Sequence, residues 1–191
     1  GSFLGIGIGF LRAHKSPDLF RWSLVVLTSF VALVRQFPVV IDRSGGDLVF
    51  FGSLTTRGLP TWIMLPFVFL FVAAIMTCIA HGVATRFDLF DPLEAYRLDI
   101  AGSVAGIVAY AAFSFLGVPP AGWGVLVGLL FIAIQWRPTV SDLAWSVLLI
   151  VVFTLSTSVD QSIWSPYYRI SFTNGAEIAA NGIPHQAMAP I

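Results

Sequence analysis

The chain has little charge and almost no cysteine. Of its 191 residues, 10% are charged and 57% are hydrophobic, and the mean hydropathy is +0.88. A water-soluble fold cannot cover its surface with so few charges. Ten basic residues balance ten acidic ones, which argues against nucleic acid as a partner. The one cysteine, Cys78, excludes an intrachain disulfide and any cysteine-based zinc site.

The N-terminus lacks both an initiator methionine and the basic stretch that opens a secretory signal peptide. The first ten residues, Gly1 to Phe10, are already apolar. We interpret them as the end of a helix that starts before the chain does, and we therefore expect the sequence to be a fragment.

Apolar segments of helix length recur along the first 158 residues. We count about five of them as full membrane spans, although the segment at residues 121–136 is shorter than the others, and the one at the N-terminus as a partial span. The segments cover residues 3–11, 20–41, 61–83, 98–117, 121–136 and 143–155. The sequence therefore predicts that residues 1–158 form an all-α multi-pass bundle of about five full spans. We expect an integral protein of a bacterial inner membrane, with the lipid bilayer as its main partner.

The connections between these segments carry their own signals. In the loop at residues 42–60, residues 48–51 are apolar and either form a short strand or lie on the membrane surface. The connection at residues 86–99 gathers much of the charge and is expected at a membrane surface. Trp123 and Trp136 lie near the two ends of the fifth segment, as interfacial aromatic residues do.

After residue 158 the pattern changes to that of β-structure. Residues 167–172 alternate as a strand does, Thr173-Asn174-Gly175 is a hairpin signal, and residues 176–180 supply the partner strand. An isolated two-stranded hairpin is marginal in water. We therefore expect residues 159–191 to begin a soluble domain that continues beyond the chain, or to pack on a partner.

Two pairs of glycines have GxxxG spacing, Gly102 with Gly106 and Gly124 with Gly128. Small residues at this spacing let helix backbones approach closely in lipid. Both pairs predict helix-packing seams, either within the chain or between the copies of a homo-oligomer.

Asp99 and Ser103 are candidate functional residues because they lie at the mouth of an apolar segment. An ionisable residue in a membrane helix is a functional hypothesis by default. An aspartate at a helix N-terminus also caps free N–H groups and favours the helix dipole, and both interpretations stay open. His81 has no second histidine or carboxylate one turn on, so we predict no metal site there and interpret it as an interfacial polar residue.

Two stretches of the chain together form a recognisable pattern. The stretches are Pro92-Leu-Glu-Ala-Tyr-Arg-Leu-Asp-Ile-Ala-Gly-Ser-Val-Ala-Gly106, continued by residues 114–120, and Trp164-Ser-Pro-Tyr-Tyr-Arg-Ile170, followed by residues 181–186. They resemble the membrane-embedded branch of the spermidine synthase (polyamine aminopropyltransferase) family. In that family a helical membrane region precedes a small β-hairpin region and then a Rossmann-like domain that binds an S-adenosylmethionine derivative.

The resemblance implies a function and a set of substrate-facing positions. It implies that the chain is the membrane anchor or regulatory region of an aminopropyltransferase whose catalytic domain lies beyond Ile191. Tyr168 takes the place of a glutamine that helps bind the sulfonium nucleoside in soluble relatives, and His185 and Gln186 lie where those relatives have a Tyr and a Gln or His. Decarboxylated S-adenosylmethionine would be the co-substrate of the complete protein, whereas this chain would hold no cofactor and no catalytic residue.

The orientation of the chain in the membrane and its functional class each have an alternative. The basic residues Arg12, Lys15 and Arg21 predict a cytoplasmic first connection, which leaves the hairpin outside. A domain that uses an S-adenosylmethionine derivative belongs in the cytoplasm, and we favour that side for the hairpin. A small transporter is the competing class, favoured by Asp99 and by the helix break at Pro119-Pro120. A structural membrane subunit assembled through its GxxxG seams is the third.

Overall fold

The structure is a computed structural model that describes residues 1–15, 17–37, 39–40, 59–135, 137–157, 162–173, 177–181 and 183–187. Within these ranges six helices precede a four-stranded sheet. The helices are α1 (Ser2–Arg12), α2 (Phe20–Gln36), α3 (Thr61–Phe87), α4 (Pro92–Phe115), α5 (Pro120–Ile134) and α6 (Val140–Thr157). The strands are β1 (Val39–Val40), β2 (Leu59–Pro60), β3 (Ser162–Trp164), β4 (Arg169–Thr173), β5 (Glu177–Ala180) and β6 (Ile183–Ala187). The predictions for residues 48–51, for Trp136 and for the turn at Asn174-Gly175 lie outside the described residues.

The prediction of five membrane spans is wrong. Among the described helices two, α3 and α4, are long and apolar enough to cross a membrane. The apolar runs extend past the ends of the helices: the run at residues 20–41 is helical only to Gln36, and the run at 121–136 only to Ile134. The 15 residues of α5 reach about 22 Å, short of the ~30 Å hydrocarbon core.

Contacts between side chains fix the direction of each helix. Gly1 of α1 lies beside Phe69 and Gly9 beside Thr77, so α1 and α3 run parallel. The helix α2 runs the other way along α3, because Phe20 packs on Gly82 and Phe30 stacks on Phe71 with ring centroids 5.5 Å apart.

The helices α5 and α6 are antiparallel to each other. Gly124 packs on Phe153 and Gly128 on Ser146. The stacked rings of Phe20 and Phe131, with centroids 5.3 Å apart, join this pair to α2. The core at this junction consists of Phe20, Leu24, Phe131 and Leu149, all buried.

The helix directions bring most of the charge together at one end of the helices, which we call the charged end. The helices α1, α3 and α5 finish there, and α2, α4 and α6 begin there. Its charged residues are Arg12, Lys15, Asp18, Arg21, Arg86, Asp88, Asp91, Glu94, Arg97, Arg137 and Asp142. The opposite end adjoins the C-terminal sheet, since Gly117 lies against the carbonyl oxygen of Trp164.

The helix α4 is apolar but hardly buried. It starts at Pro92, a residue suited to the first turn of a helix. Its most apolar 18-residue window contains no buried residue, and Ala95 alone is buried among the described residues of the helix. Aromatic contacts of Tyr110 and Phe113 with Trp123 tie its far end to α5.

The C-terminal sheet has the strand order β3-β4-β5-β6 and is antiparallel throughout. The strands β4 and β5 pair as the hairpin pattern predicts, with Ile170 opposite Ala180. The two-stranded hairpin is nevertheless an underestimate, because β3 and β6 add a strand on each side. Asn181 makes the turn into β6 with a φ of 52°, and its Oδ1 accepts a 2.9 Å hydrogen bond from the Arg169 N–H. Asparagine is one of the few residues that tolerate this backbone region.

Candidate polar pocket at the charged end

A polar pocket with two lobes lies at the charged end. Its first lobe has a volume of about 380 Å³ and is lined by Asp18, His81, Thr85 and Arg86. Its second lobe, of about 240 Å³, is lined by Asp18, Phe20, Arg21, Arg86, Gln135 and Arg137. Because Asp18 and Arg86 line both lobes, they form the wall between them. We call the two lobes together the polar pocket.

Packing at the start of α2 holds this wall in place. Asp18 Oδ1 accepts a 3.0 Å hydrogen bond from the Phe20 N–H, which satisfies a free donor at the helix start. Phe20 is buried against Gly82, where a Cβ atom would lie 2.6 Å from the ring. The Arg86 guanidinium lies 5.1 Å from the centroid of the same ring and donates a 3.0 Å hydrogen bond to the Gly82 carbonyl oxygen. The cation–π contact and the hydrogen bond together orient Arg86.

Two buried side chains of the pocket have polar atoms without a partner among the described residues. His81 is 1% exposed, and neither Nδ1 nor Nε2 makes a hydrogen bond. Gln135 is 9% exposed, and its Oε1 has none. A buried polar atom without a hydrogen-bond partner destabilises the folded state by about 1–3 kcal/mol. Both side chains line the pocket, so these polar atoms are open to hydrogen bonding by a bound molecule.

Asp142 supports the pocket from the start of α6. Its Oδ2 accepts hydrogen bonds from the Thr139 N–H (2.8 Å) and the Thr139 hydroxyl (2.7 Å). Its own N–H donates to Thr139 Oγ1 at 3.3 Å, which completes a reciprocal capping box.

The environment of Asp142 acts on its pKa in both directions. Burial alone would raise the pKa of the carboxyl. The hydrogen bonds from Thr139 and Gln135, with the positive charge of Arg21, outweigh burial and hold the pKa below its ordinary value. The carboxylate thereby engages the side chain of Gln135, whose Oε1 stays unpaired.

The charges lining the pocket are predominantly positive. Arg21, Arg86 and Arg137 come from three different parts of the chain, and Asp18 is the single carboxylate among the described residues of the lining. Converging guanidinium groups suit a carboxylate or phosphate ligand. A search of the described residues finds no group of three or more His, Cys, Asp or Glu side chains that could hold a metal ion.

Sequence reasoning did not predict the pocket. The sequence predicts His81 as an interfacial polar residue and Arg21 only as a mark of a cytoplasmic connection. The sequence Thr139-Val140-Ser141-Asp142 carries a capping signal that could have located the start of α6. No local pattern links residue 18 with residues 86 and 137, because tertiary packing alone brings them together.

The predicted candidates Asp99 and Ser103 lie on α4 and outside the described lining of the pocket. The N-cap position of α4 is Asp91. Asp99 therefore lies two turns inside the helix, where capping does not apply and the helix dipole has little effect. Its functional role remains a hypothesis.

The two GxxxG pairs differ in their surroundings. A Cβ at Gly124 would lie 3.1 Å from the Cβ of Phe153, and one at Gly128 would lie 3.6 Å from the Cβ of Ser146. These two glycines therefore form a seam between α5 and α6. At Gly102 and Gly106 a Cβ would meet no atom of the described chain within 4 Å.

The sheet does not bring the three substrate-facing candidates together. Tyr168 precedes β4, whereas His185 and Gln186 lie on β6, two strands away. Gln186 pairs with Ile178, which pairs with Phe172, four residues along β4 from Tyr168. At ordinary strand spacings the Cα atoms of Tyr168 and Gln186 are about 16 Å apart.

Comparison with known proteins does not assign the chain to a family. No protein-family model, curated protein or solved structure matches it. The resemblance to the spermidine synthase family therefore stays a prediction, and the pocket is interpreted from its own geometry.

Proposed function

We propose that this chain is a membrane-anchoring helical unit in which α3 and α4 each cross the bilayer. The observation that carries this proposal is the exposure of α4. Its 24 residues reach about 36 Å, enough for the ~30 Å hydrocarbon core. The most apolar 18-residue stretch of α4 contains no buried residue, and Ile107 and Val108 are 69% and 61% exposed. Water does not favour so much uncovered apolar surface, whereas lipid does.

The ends of α3 support the same placement. The helix begins beside Trp62 and ends beside Arg86, residue types that favour the interfaces of a membrane. Its side chains Leu65 and Leu70 are 65% and 63% exposed and would face lipid. Since α3 finishes at the charged end and α4 begins there, the short turn between them would lie at one membrane surface.

Extraction of membranes with alkaline carbonate tests this proposal. The unmodified chain should stay with the lipid, because its anchoring is apolar rather than electrostatic. The double variant Leu70→Lys with Ile107→Lys puts one charge near the middle of each span, at a cost of about 2.5–3.5 kcal/mol each, and should shift the chain out of the membrane fraction.

The matched control is Leu89→Lys with Leu116→Lys, two exposed leucines outside α3 and α4. This control should partition like the unmodified chain. Release of the unmodified chain by carbonate, or identical partitioning of the two double variants, would contradict the proposal.

We further propose, on the resemblance in sequence, that this anchor belongs to an aminopropyltransferase-like protein. What supports this is the order of parts, in which the helices precede a small antiparallel sheet. The complete protein would position an amine to attack the carbon next to the sulfonium of decarboxylated S-adenosylmethionine. The complete gene product should bind that nucleoside in a calorimetric titration, and no heat of binding would contradict this second proposal while leaving the anchoring proposal intact.

The side of the membrane that holds the sheet provides an independent test of the transferase proposal. The charged end contains Arg12, Lys15, Arg86 and Arg97, so charge counting places it in the cytoplasm and the sheet at the opposite surface. The transferase needs the sheet in the cytoplasm, where the nucleoside is. A reporter fused after residue 191 that is active only outside the cytoplasm would rule the transferase out.

A further inference from the structure

We propose that the polar pocket binds a phosphate-bearing group that also carries a hydrogen-bond donor. The pocket and its lining residues are defined by the chain alone, so this proposal does not depend on α3 and α4 crossing a bilayer. It rests on three features of the described lining: three arginines, a buried acceptor that lacks a donor, and a buried imidazole.

The arginines supply the recognition of phosphate. Arg21 extends from the start of α2, Arg86 from the end of α3, and Arg137 from the turn between α5 and α6. A guanidinium has five N–H donors. Arg86 gives one to the Gly82 carbonyl oxygen, which leaves others to reach a ligand. Guanidinium and phosphate groups form short, charge-assisted and often bidentate hydrogen bonds.

The acceptors of the pocket require a donor from the ligand. Gln135 Oε1 is buried and has no partner among the described residues, and unprotonated phosphate oxygens, which are acceptors themselves, cannot satisfy it. The Asp18 carboxylate accepts one bond from the Phe20 N–H and has room for more. A hydroxyl or ammonium group beside the phosphate matches both of these acceptors.

His81 adds a donor and an acceptor in the first lobe. A neutral imidazole has one N–H and one lone-pair nitrogen, and both nitrogens of His81 are buried with no partner in the part of the chain that the structure describes. The N–H would donate a hydrogen bond to a phosphate oxygen, and the lone-pair nitrogen would accept one from a hydroxyl or ammonium group of the ligand. Each lobe therefore offers the ligand both hydrogen-bond donors and hydrogen-bond acceptors.

Two sources supply this chemistry. One is free hydrogen phosphate, which has a P–OH group. The other is a phospholipid whose headgroup has N–H donors, such as phosphatidylethanolamine. The lipid is compatible with the depth of the pocket, because His81 to Arg86 are in the last turns of α3, whose 27 residues span about 40 Å against a ~30 Å hydrocarbon core. That source rests on the proposed anchoring, whereas free phosphate does not.

The first test uses the whole chain in maltoside micelles without lipid. Sodium phosphate and sodium sulfate are titrated in a calorimeter at constant ionic strength and pH 7. Sulfate has similar geometry but no hydroxyl proton, so phosphate should bind at least tenfold more tightly. The second test extracts the chain from bilayers of phosphatidylethanolamine and phosphatidylcholine and counts retained lipids by native mass spectrometry. Phosphatidylcholine lacks N–H donors and should be retained less.

The variant Arg137→Gln and the control Arg97→Gln make both tests specific. Both arginines are exposed at the charged end, but only Arg137 lines the pocket. Arg137→Gln should weaken the preferred ligand at least tenfold, and Arg97→Gln should leave its affinity unchanged. Circular dichroism confirms that each variant keeps its helices.

Each outcome decides the proposal. Selective binding of phosphate alone supports it with a soluble ligand, and selective retention of phosphatidylethanolamine alone supports it with a lipid. The proposal is overturned if neither ligand is preferred over its donor-free counterpart, or if Arg137→Gln and Arg97→Gln have equal effects. Loss of membrane anchoring in the carbonate test would remove the lipid source without affecting the phosphate titration.

Discussion

Gly9 of α1 lies against the main chain of Thr77 in α3, where a Cβ atom on residue 9 would be 2.6 Å from the Thr77 carbonyl oxygen. Gly5 has the same relation to the Ala73 carbonyl oxygen. The close approach lets Thr77 Oγ1 donate a 3.1 Å hydrogen bond to the Gly5 carbonyl oxygen. Gly7, on the other face of α1, has no atom of the described chain near its Cβ position.

This contact predicts opposite effects of alanine at neighbouring glycines. Gly9→Ala should destabilise the fold by about 1–3 kcal/mol, since the backbone it meets cannot move aside easily. Gly7→Ala meets nothing and should stabilise α1 by up to about 1 kcal/mol through its higher helix propensity. Thermal unfolding in detergent measures both. Equal midpoints for the two variants would show that α1 does not pack on α3 as described.

The unpaired nitrogens of His81 predict that this residue lowers the stability of the empty pocket. His81→Leu should raise the thermal midpoint in ligand-free detergent, because about 1–3 kcal/mol of unsatisfied polarity is removed. Phosphate should then no longer stabilise the protein. The control Met64→Leu, at another buried position of α3, should change stability by less than about 1.5 kcal/mol. A lower midpoint for His81→Leu than for Met64→Leu would mean that the imidazole is already satisfied.

Asp142 predicts a pH dependence of stability. Its pKa is lower in the folded protein than in the unfolded chain, so the folded state favours the carboxylate. The stabilisation is complete above the ordinary aspartate pKa of about 3.9 and is lost as the pH falls through the lower pKa of the folded state.

Asp142→Asn should therefore destabilise the protein at neutral pH, by about 0.5–2 kcal/mol if the whole cap is lost. Unfolding by denaturant at several pH values between 3 and 7 measures the difference, which should shrink towards the acid end. A difference that stays constant over this range would contradict the role of the charge.

Gly102 and Gly106 of α4, where a Cβ would meet no atom of the described chain within 4 Å, predict a helix-packing seam between copies of the chain. Gly106→Leu should lower the fraction of dimer measured by energy transfer between labelled chains in detergent, because it blocks a GxxxG approach. Gly7→Leu, at an equally open position of α1, is the control and should leave association unchanged. If both variants associate like the unmodified chain, the face of α4 is covered by lipid alone and the structural-subunit alternative loses its support.

Local patterns predicted those elements that depend on local chemistry. The apolar run at residues 61–83 lies within α3, and the alternation at 167–172 with the Asn-Gly signal predicted the pairing of β4 with β5. The number of spans was wrong because hydropathy continues through residues that are no longer helical, as it does at Val39–Val40, which form β1 after α2 has ended at Gln36. Strands β3 and β6 were missed, since their short segments have no clear alternation.

The polar pocket could not be predicted because it depends on packing between distant segments. Arg86 is oriented by Phe20, 66 positions earlier, and the glycine that admits that ring is Gly82. Hydropathy treats His81 as one polar residue in an apolar run. Only the tertiary structure shows that its imidazole is buried and that no described residue pairs with it.

Insertion of α4 into lipid is tested most directly by spin labels attached to single cysteines, after Cys78→Ala, in reconstituted bilayers. A label at Ile107 should be accessible to molecular oxygen and shielded from a polar nickel complex, because oxygen partitions into lipid. A label at Glu94, near the charged start of α4, should show the reverse. High accessibility of Ile107 to the nickel complex would place the helix in water and would contradict membrane insertion of α4.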